Sequence, residues 1–219
     1  MNGEALLIIG SPRPRTTSGS LGAYLLLRLA AGGLATGTVR VRDTAPLLTG
    51  STRAELLILS CPLYVDSLPA PVIAAMELLA GRPGSLKGRR LVAVLNCGLP
   101  EAAQCHTALA ACQQFAAETK LEWAGGLALG LGEAIAGRPL AERGGLTSHI
   151  RQALDLTAAA LLRREPVPVE AQELMGRQLL PSRLFALCGG VTWLRRARRH
   201  GAWRRLNARP YQNGGRGAQ

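Results

Sequence analysis

The residues with the densest chemical potential lie near the N-terminus, in the run Gly10-Ser11-Pro12-Arg13-Pro14-Arg15-Thr16-Thr17-Ser18-Gly19-Ser20. Five hydroxyls and two guanidiniums fall between an apolar stretch at residues 5–9 and a helical pattern at residues 21–31. A short strand passing through such a loop into a helix makes an anion cradle, because loop hydroxyls and the unpaired N–H groups of the first helical turn converge on one point. The alternative is an ordinary turn followed by a Ser or Thr N-cap. The Lys-Ser/Thr ending of a Walker loop and the Gly-x-Gly-x-x-Gly spacing of a dinucleotide site are both absent, so a monophosphate held by hydroxyls fits the anion reading better.

Two further loops carry polar and aromatic groups. One is Cys61-Pro62-Leu63-Tyr64-Val65-Asp66-Ser67-Leu68-Pro69, and the other is Asn96-Cys97-Gly98-Leu99-Pro100-Glu101. Tyr64 can stack on a flat ring while keeping its hydroxyl wet. Asp66 is also placed to cap a helix beginning near Pro69, and Glu101 precedes an apolar helix in the same way.

The elements that must position these loops follow from the apolar pattern. Strand-length runs occupy residues 5–9, 39–41, 56–60, 91–96 and, more weakly, 126–129. Helical patterns fall between or after them, notably at residues 71–79, 102–118 and 146–162. Alternating strands and helices, with continuous apolar strands, specify an α/β fold whose parallel sheet is covered on both faces. Right-handed crossovers make it doubly wound, with the strand order 2-1-3-4-5. In such a sheet ligands bind beyond the carboxyl ends of the strands at the switch point, and the three loops all follow strands that end there. The link from the second to the third strand, residues 43–55 with Pro46 and Gly50, allows a helix of a turn or two and an irregular sheet edge.

Composition bounds the remainder. The chain has 219 residues, enough for one α/β domain and an appendage, and only 4% aromatics, so Leu, Ala and Val must build the core. Its five cysteines (Cys61, Cys97, Cys105, Cys112, Cys188) contain no Cys-x-x-Cys pair, which argues against a disulfide framework or a metal cluster. No apolar run is long enough to span a bilayer, and no charged n-region precedes the first one, so a soluble cytoplasmic protein is expected. The net charge of +12 is concentrated in the C-terminal segment: residues 177–219 hold 10 arginines and no acid.

That segment carries Leu180, Leu184, Leu187, Val191 and Leu194 at steps of three and four, broken by Gly189-Gly190, so a kinked or broken helix is expected. Arg195, Arg196, Arg198, Arg199, Arg204 and Arg205 follow, with Trp193 and Trp203 among them. The leading reading is a helix docked on the body or on a second subunit with a solvated arginine face. An anionic membrane surface, a nucleic acid, or attraction of an anionic substrate are the alternatives. The division expected is residues 1–165 for the main domain, 166–212 for a basic helical extension and 213–219 for a disordered tail.

Gly-Ser-Pro-Arg after the first strand, Pro-Leu-Tyr-Val-Asp-Ser-Leu-Pro after the third and Asn-x-Gly-x-Pro-Glu-Ala after the fourth resemble the flavodoxin-like NAD(P)H-dependent oxidoreductases. The stretch Glu122-Trp123-Ala124-Gly125-Gly126-Leu127 with Gly130-x-Gly132-Glu133-Ala134-Ile135 resembles them too, as does Leu180-Pro181-Ser182-Arg183 continuing to Trp193, Gly201 and Pro210-Tyr211. The resemblance implies a flavodoxin-like domain that binds FMN. It assigns Ser11, Arg13, Thr17, Ser18 and Ser20 to the phosphate, Pro62, Leu63, Tyr64 and Val65 to the ribityl chain and ring, and Asn96, Gly98 and Glu101 to the ring's other edge. Gly19 stands where many relatives carry Asn. The implied activity is hydride transfer from NAD(P)H to the flavin and onward to a quinone, nitro or azo compound, free flavin or metal ion by a ping-pong cycle, in a homodimer and with no acid–base side chain required. The alternatives are a flavodoxin-type electron shuttle without pyridine-nucleotide activity and a non-catalytic scaffold acting through the basic tail.

Overall fold

The computed structural model describes residues 3–208 of the chain. Five parallel strands, β1 (Glu4–Ile9), β2 (Ala35–Arg40), β3 (Leu56–Pro62), β4 (Arg90–Asn96) and β5 (Glu122–Leu129), form one sheet in the order β2-β1-β3-β4-β5. Helices α1 (Thr17–Ala31), α2 (Thr44–Arg53), α3 (Ala70–Ala80), α4 (His106–Thr119) and α5 (Ser148–Leu162) connect or follow the strands. Two more α-helices, α6 (Val169–Gly176) and α7 (Ser182–Arg199), follow among the described residues.

Each central strand feeds two apolar layers, because successive side chains point to opposite faces. Leu7 and Ile58 meet Leu21, Leu25 and Leu29 of α1 and Ile150 and Leu154 of α5 on one face. Leu6, Leu57, Leu59 and Leu95 meet Leu47 of α2, Val72 and Leu79 of α3 and Cys112 and Ala116 of α4 on the other. The doubly wound sheet inferred from the alternation of elements is thus the fold observed.

The second crossover differs from its expected form. Instead of a turn or two, α2 runs for ten residues from Thr44. Pro46 sits in its first turn, where the backbone N–H has no intrahelical acceptor to lose. Gly50 fits beneath the side chain of Leu6, where an added Cβ would lie 3.0 Å from Leu6 Cδ2. Strand β2 begins four residues earlier than its apolar signal, because at the sheet edge only Val39 of its six residues is buried. That edge is regular, pairing with β1 without a shift from Glu4↔Ala35 to Ile9↔Arg40. The irregularity falls on the opposite edge, where the register of β5 slips between Leu91↔Trp123 and Val92↔Gly125.

The expected boundary at residue 165 also moves. The main unit extends to Leu179, because α6 buries Ala171, Leu174 and Met175 in the α1–α5 layer and the Val167 N–H donates to the Ala124 carbonyl at 2.7 Å. The second unit begins at Leu180 and contains α7. Contrary to the expected break, α7 is one 18-residue helix through Gly189 and Gly190. Neither glycine adopts a positive φ. Glycine costs a helix about 1 kcal/mol relative to alanine but keeps its N–H, so it weakens the ladder without interrupting it. The tail expected to be disordered, residues 213–219, and the Pro210-Tyr211 pair lie outside the described residues.

One close approach fixes where the first loop leaves the sheet. Gly10 donates its N–H to the Ser60 carbonyl at 2.9 Å, and a Cβ added there would meet Cys61 Cβ and stand 2.6 Å from Val72 Cγ2. Gly10→Ala therefore forces β1 and β3 apart at the head of the loop. The expected cost is about 1–3 kcal/mol, typical of overpacking, read as a lower urea midpoint at unchanged slope.

Candidate functional site

The carboxyl ends of β1, β3 and β4 open onto a cavity of about 530 Å³. Ser11, Arg13, Arg15, Thr16, Thr17 and Ser18 form one end of its lining. Pro62, Leu63 and Tyr64 form a second wall, Asn96, Cys97 and Gly98 a third, and Glu133, Ala136 and Gly137 a fourth.

At the first end the chain is arranged as a helix start. Thr16 is the N-cap of α1 in extended conformation, and its hydroxyl accepts the Gly19 N–H at 3.1 Å. The Ser18 hydroxyl lies 3.2 Å from that same oxygen, and the Thr17 hydroxyl donates to the Gly132 carbonyl at 2.6 Å. No acid stands in the first turn. The positive end of the helix dipole is thereby left unopposed by its own sequence, a setting that favours a bound anion. Arg13 and Arg15 are exposed on the loop, whose carbonyls at Arg13 and Pro14 are held by the Arg40 guanidinium at 3.2 and 3.5 Å. Arg40, from the end of β2, thus adds a third positive charge behind the loop.

The second wall is shaped by a tight turn. Tyr64 and Ser67 exchange backbone hydrogen bonds of 3.0 and 3.2 Å, and Val65 and Asp66 between them have φ of 51° and 57°. Asp66 is held in this reversal and makes no side-chain cap. Helix α3 instead begins after Pro69 without a capping side chain. Tyr64 is 43% exposed, so one part of its ring is free to face a ligand.

The third wall contains a buried amide and a thiol of unusual acidity. Asn96 is 7% exposed, and its Oδ1 has no hydrogen-bond donor among the described residues. An unsatisfied buried acceptor typically costs about 1–3 kcal/mol, so a donor delivered by a ligand would be favourable here. The Cys105 thiol hydrogen-bonds the Cys97 sulfur and, with further backbone hydrogen bonds, holds the Cys97 pKa down to about 7 against the opposing effect of burial. The same contact, together with burial, pushes Cys105 up. Cys61 is raised well above the usual range, first by burial and then by Cys112.

The loop after β5 completes the enclosure. Gly132 donates its N–H to the Cys97 carbonyl at 2.8 Å, and a Cβ on it would stand 2.5 Å from Asn96 Nδ2. Gly137, at φ 67°, passes so close to the loop before α1 that a Cβ would come within 2.8 Å of the Arg15 and Thr16 backbone.

Of the residues singled out in the sequence, Ser11, Arg13, Thr17, Ser18, Pro62, Leu63, Tyr64, Asn96 and Gly98 share this cavity. Ser20, Val65 and Glu101 are not in its lining. The Ser20 hydroxyl turns back to the Thr16 carbonyl at 3.2 Å, Val65 is 98% exposed at the turn, and the Glu101 carbonyl accepts from Cys97 at 3.5 Å. Arg15, Thr16, Cys97, Glu133, Ala136 and Gly137 line the cavity without having been assigned to it. The glycines around Glu133 were the available signal for the fourth wall, since closely spaced glycines mark close backbone approach.

No family model and no curated protein matches the sequence. Solved structures do match. The chain superposes on an NADH:FMN oxidoreductase in its apo form with a TM-score of 0.54 and 16% identity, covering 82% of this chain and 97% of that one. A candidate quinone reductase from Klebsiella pneumoniae gives a TM-score of 0.55 and 14% identity over 76% of this chain and 88% of the other. An azoreductase from Bacillus anthracis str. Sterne gives 0.51 and 12% over 75% and 100%. At these identities the likeness is one of fold. With its five parallel strands in the order β2-β1-β3-β4-β5 and helices on both faces, the chain has the flavodoxin-like fold.

Proposed function

We propose that this protein is an FMN-dependent oxidoreductase that takes hydride from NAD(P)H and passes electrons to a small acceptor. The observation that carries this reading is the pairing, within one cavity, of an anion-binding helix start and a wall formed by Tyr64 and the amide of Asn96. The donor set suits FMN at both ends. The hydroxyls of Ser11 and Ser18, the first N–H groups of α1 and the Arg13 guanidinium, whose planar fork matches phosphate geometry, would hold the phosphate. Tyr64 and the unsatisfied Asn96 Oδ1 would hold a flat heterocycle with N–H donors at its edge.

A bound flavin supplies the hydride and electron chemistry itself. This chain's residues bind and orient. Arg13 and Arg15 add positive charge at the cavity mouth and so favour approach of a polyanionic nicotinamide donor. Leu63, anchored by its N–H on the Asn96 carbonyl at 2.8 Å, keeps the ring wall in register with β4. The solved structures that share the fold include proteins described as an NADH:FMN oxidoreductase and an azoreductase, which supports the same reading. By its resemblance to the flavodoxin-like NAD(P)H-dependent oxidoreductases, the protein is proposed to act as a homodimer.

The decisive experiment is anaerobic titration with FMN followed by NADPH. Bound flavin is expected to show absorption bands near about 375 and 450 nm that bleach on adding NADPH. Stable colour without bleaching by NADH or NADPH would replace the enzyme with an electron shuttle, and a protein that ignores FMN would overturn the reading.

Two further outcomes follow from the geometry. Arg13→Ala is expected to weaken FMN binding about tenfold and leave riboflavin binding nearly unchanged, because only FMN carries the phosphate. Equal losses for both ligands in fluorescence titrations would remove Arg13 from the phosphate site. Alkylation of Cys97 by iodoacetamide, followed by peptide mass spectrometry, is expected to rise with pH through about 7 and then level off, because the thiolate is the nucleophile and its pKa is lowered. An unperturbed thiol would continue to gain rate to about 8.5. FMN is expected to slow the Cys97 reaction and leave that of exposed Cys188 unchanged.

A further inference from the structure

The proposed reaction makes no use of the second unit. Its helix α7 carries no charged side chain from Leu184 to Leu194, an uninterrupted stretch of eleven residues. Leu184, Leu187, Val191 and Leu194, at steps of three, four and three, occupy one face of the helix, and all four are exposed, Leu187 to 64%. Trp193 is 73% exposed. Arg195 and then Arg196, Arg198 and Arg199 of the last turn close the helix, and Arg204 and Arg205 follow in the next short 3-10 turn. Trp203 lies within 5.7 Å of the Arg198 guanidinium and 5.3 Å of that of Arg204, so the cationic cluster contains an indole.

This distribution selects its occupant by charge and by polarity together. The face needs a partner that is both apolar and anionic. A second copy of this chain is a poor match, because residues 177–219 hold 10 arginines and no acid, while residues 1–176 are close to neutral. Nucleic acid would use the arginines but has no use for an exposed stripe of leucines. An anionic lipid surface uses both, with the apolar stripe entering the boundary between headgroups and acyl chains, the arginines reaching phosphates, and the tryptophans lying at the interface. The apolar stretch spans about 15 Å along the helix axis, half of a hydrocarbon core of about 30 Å, and no helix among the described residues is long and apolar enough to cross a membrane. A helix of this length and pattern would lie along a bilayer surface and would not traverse it.

We propose that α7 and the arginines that follow it attach this protein to the surface of anionic membranes. The attachment is independent of flavin binding, so it stands or falls apart from the reading of the cavity.

The test uses the full-length protein in flotation with vesicles of phosphatidylcholine alone and of phosphatidylcholine mixed with phosphatidylglycerol, in parallel with a mixed-sequence duplex DNA. The protein is expected to float with the anionic vesicles, to float much less with the neutral ones, and to be released as salt is raised. Arg198→Gln with Arg199→Gln is expected to weaken binding about 25-fold, near fivefold per arginine. Leu187→Glu with Val191→Glu is expected to weaken it about tenfold or more. Because the apolar variant could unwind the helix, the arginine pair, in which glutamine keeps helix propensity, serves as the second and independent probe, with circular dichroism of both. Absence of flotation with anionic vesicles would overturn the proposal. So would equal binding to neutral vesicles, or binding that survives the apolar substitutions, since a purely electrostatic footprint is that of a nucleic-acid binder and would show in the DNA arm. A dimer in sedimentation velocity that Leu187→Glu with Val191→Glu converts to monomer would assign the face to a second copy instead.

Discussion

The cavity depends on one interaction, the seating of α1 against β3 at the switch point of the sheet. The Ser60 hydroxyl, fully buried, donates to the Ser18 carbonyl at 2.7 Å, and the Ser60 carbonyl accepts the Gly10 N–H at 2.9 Å. One residue of β3 therefore holds both the exit of β1 and the first turn of α1. Between those two fixed points the chain must travel from Gly10 to Thr16 over the top of the sheet, where β1's connection turns to one side and β3's to the other. The crevice is a consequence of that divergence, and the start of α1, whose unpaired N–H groups and dipole favour an anion, is built into its rim.

Around this anchor the other walls are positioned by backbone contacts that require glycine or reversed turns. Gly132 lies against Asn96, Gly137 against the residues before α1, and the pair Val65 and Asp66 reverses the chain beyond Tyr64. The burial that gives these loops their shape also sets the electrostatics. Asn96 is left with an acceptor unpaired, and two thiols brought side by side diverge in acidity, Cys97 down and Cys105 up. Both effects arise in a medium where a hydrogen bond counts for more than in water and its absence costs more.

The two units divide the physical work. Residues up to Leu179 bury a two-layered aliphatic core about a parallel sheet and carry a net charge of +3 of the chain's +12. The unit from Leu180 holds the excess charge, concentrated in the arginines that close α7 and in the turn after it. Arginine at a helix C-terminus also complements the negative end of the helix dipole, so the same residues that make the surface cationic stabilise the helix that presents them.

By itself the sequence determined the sheet and its order, because continuous apolar strands alternating with amphipathic helices leave few arrangements that bury both faces. It also pointed to most of the cavity, since Ser11, Arg13, Thr17, Ser18, Tyr64 and Asn96 follow strands that must end at one edge. What it concealed depended on where the chain turns. Val65 and Ser20 sit beside true lining residues in sequence, yet a type of turn and the helical period point them elsewhere, and Arg15 and Glu133 reach the cavity only through the path of their loops. Edge strand β2 and helix α2 were muted because an edge buries little and a short helix is stabilised by what it packs on. Tertiary structure alone decided the Cys97–Cys105 contact and the orphaned Asn96 oxygen, because both depend on neighbours brought together by folding and on the exclusion of water around them.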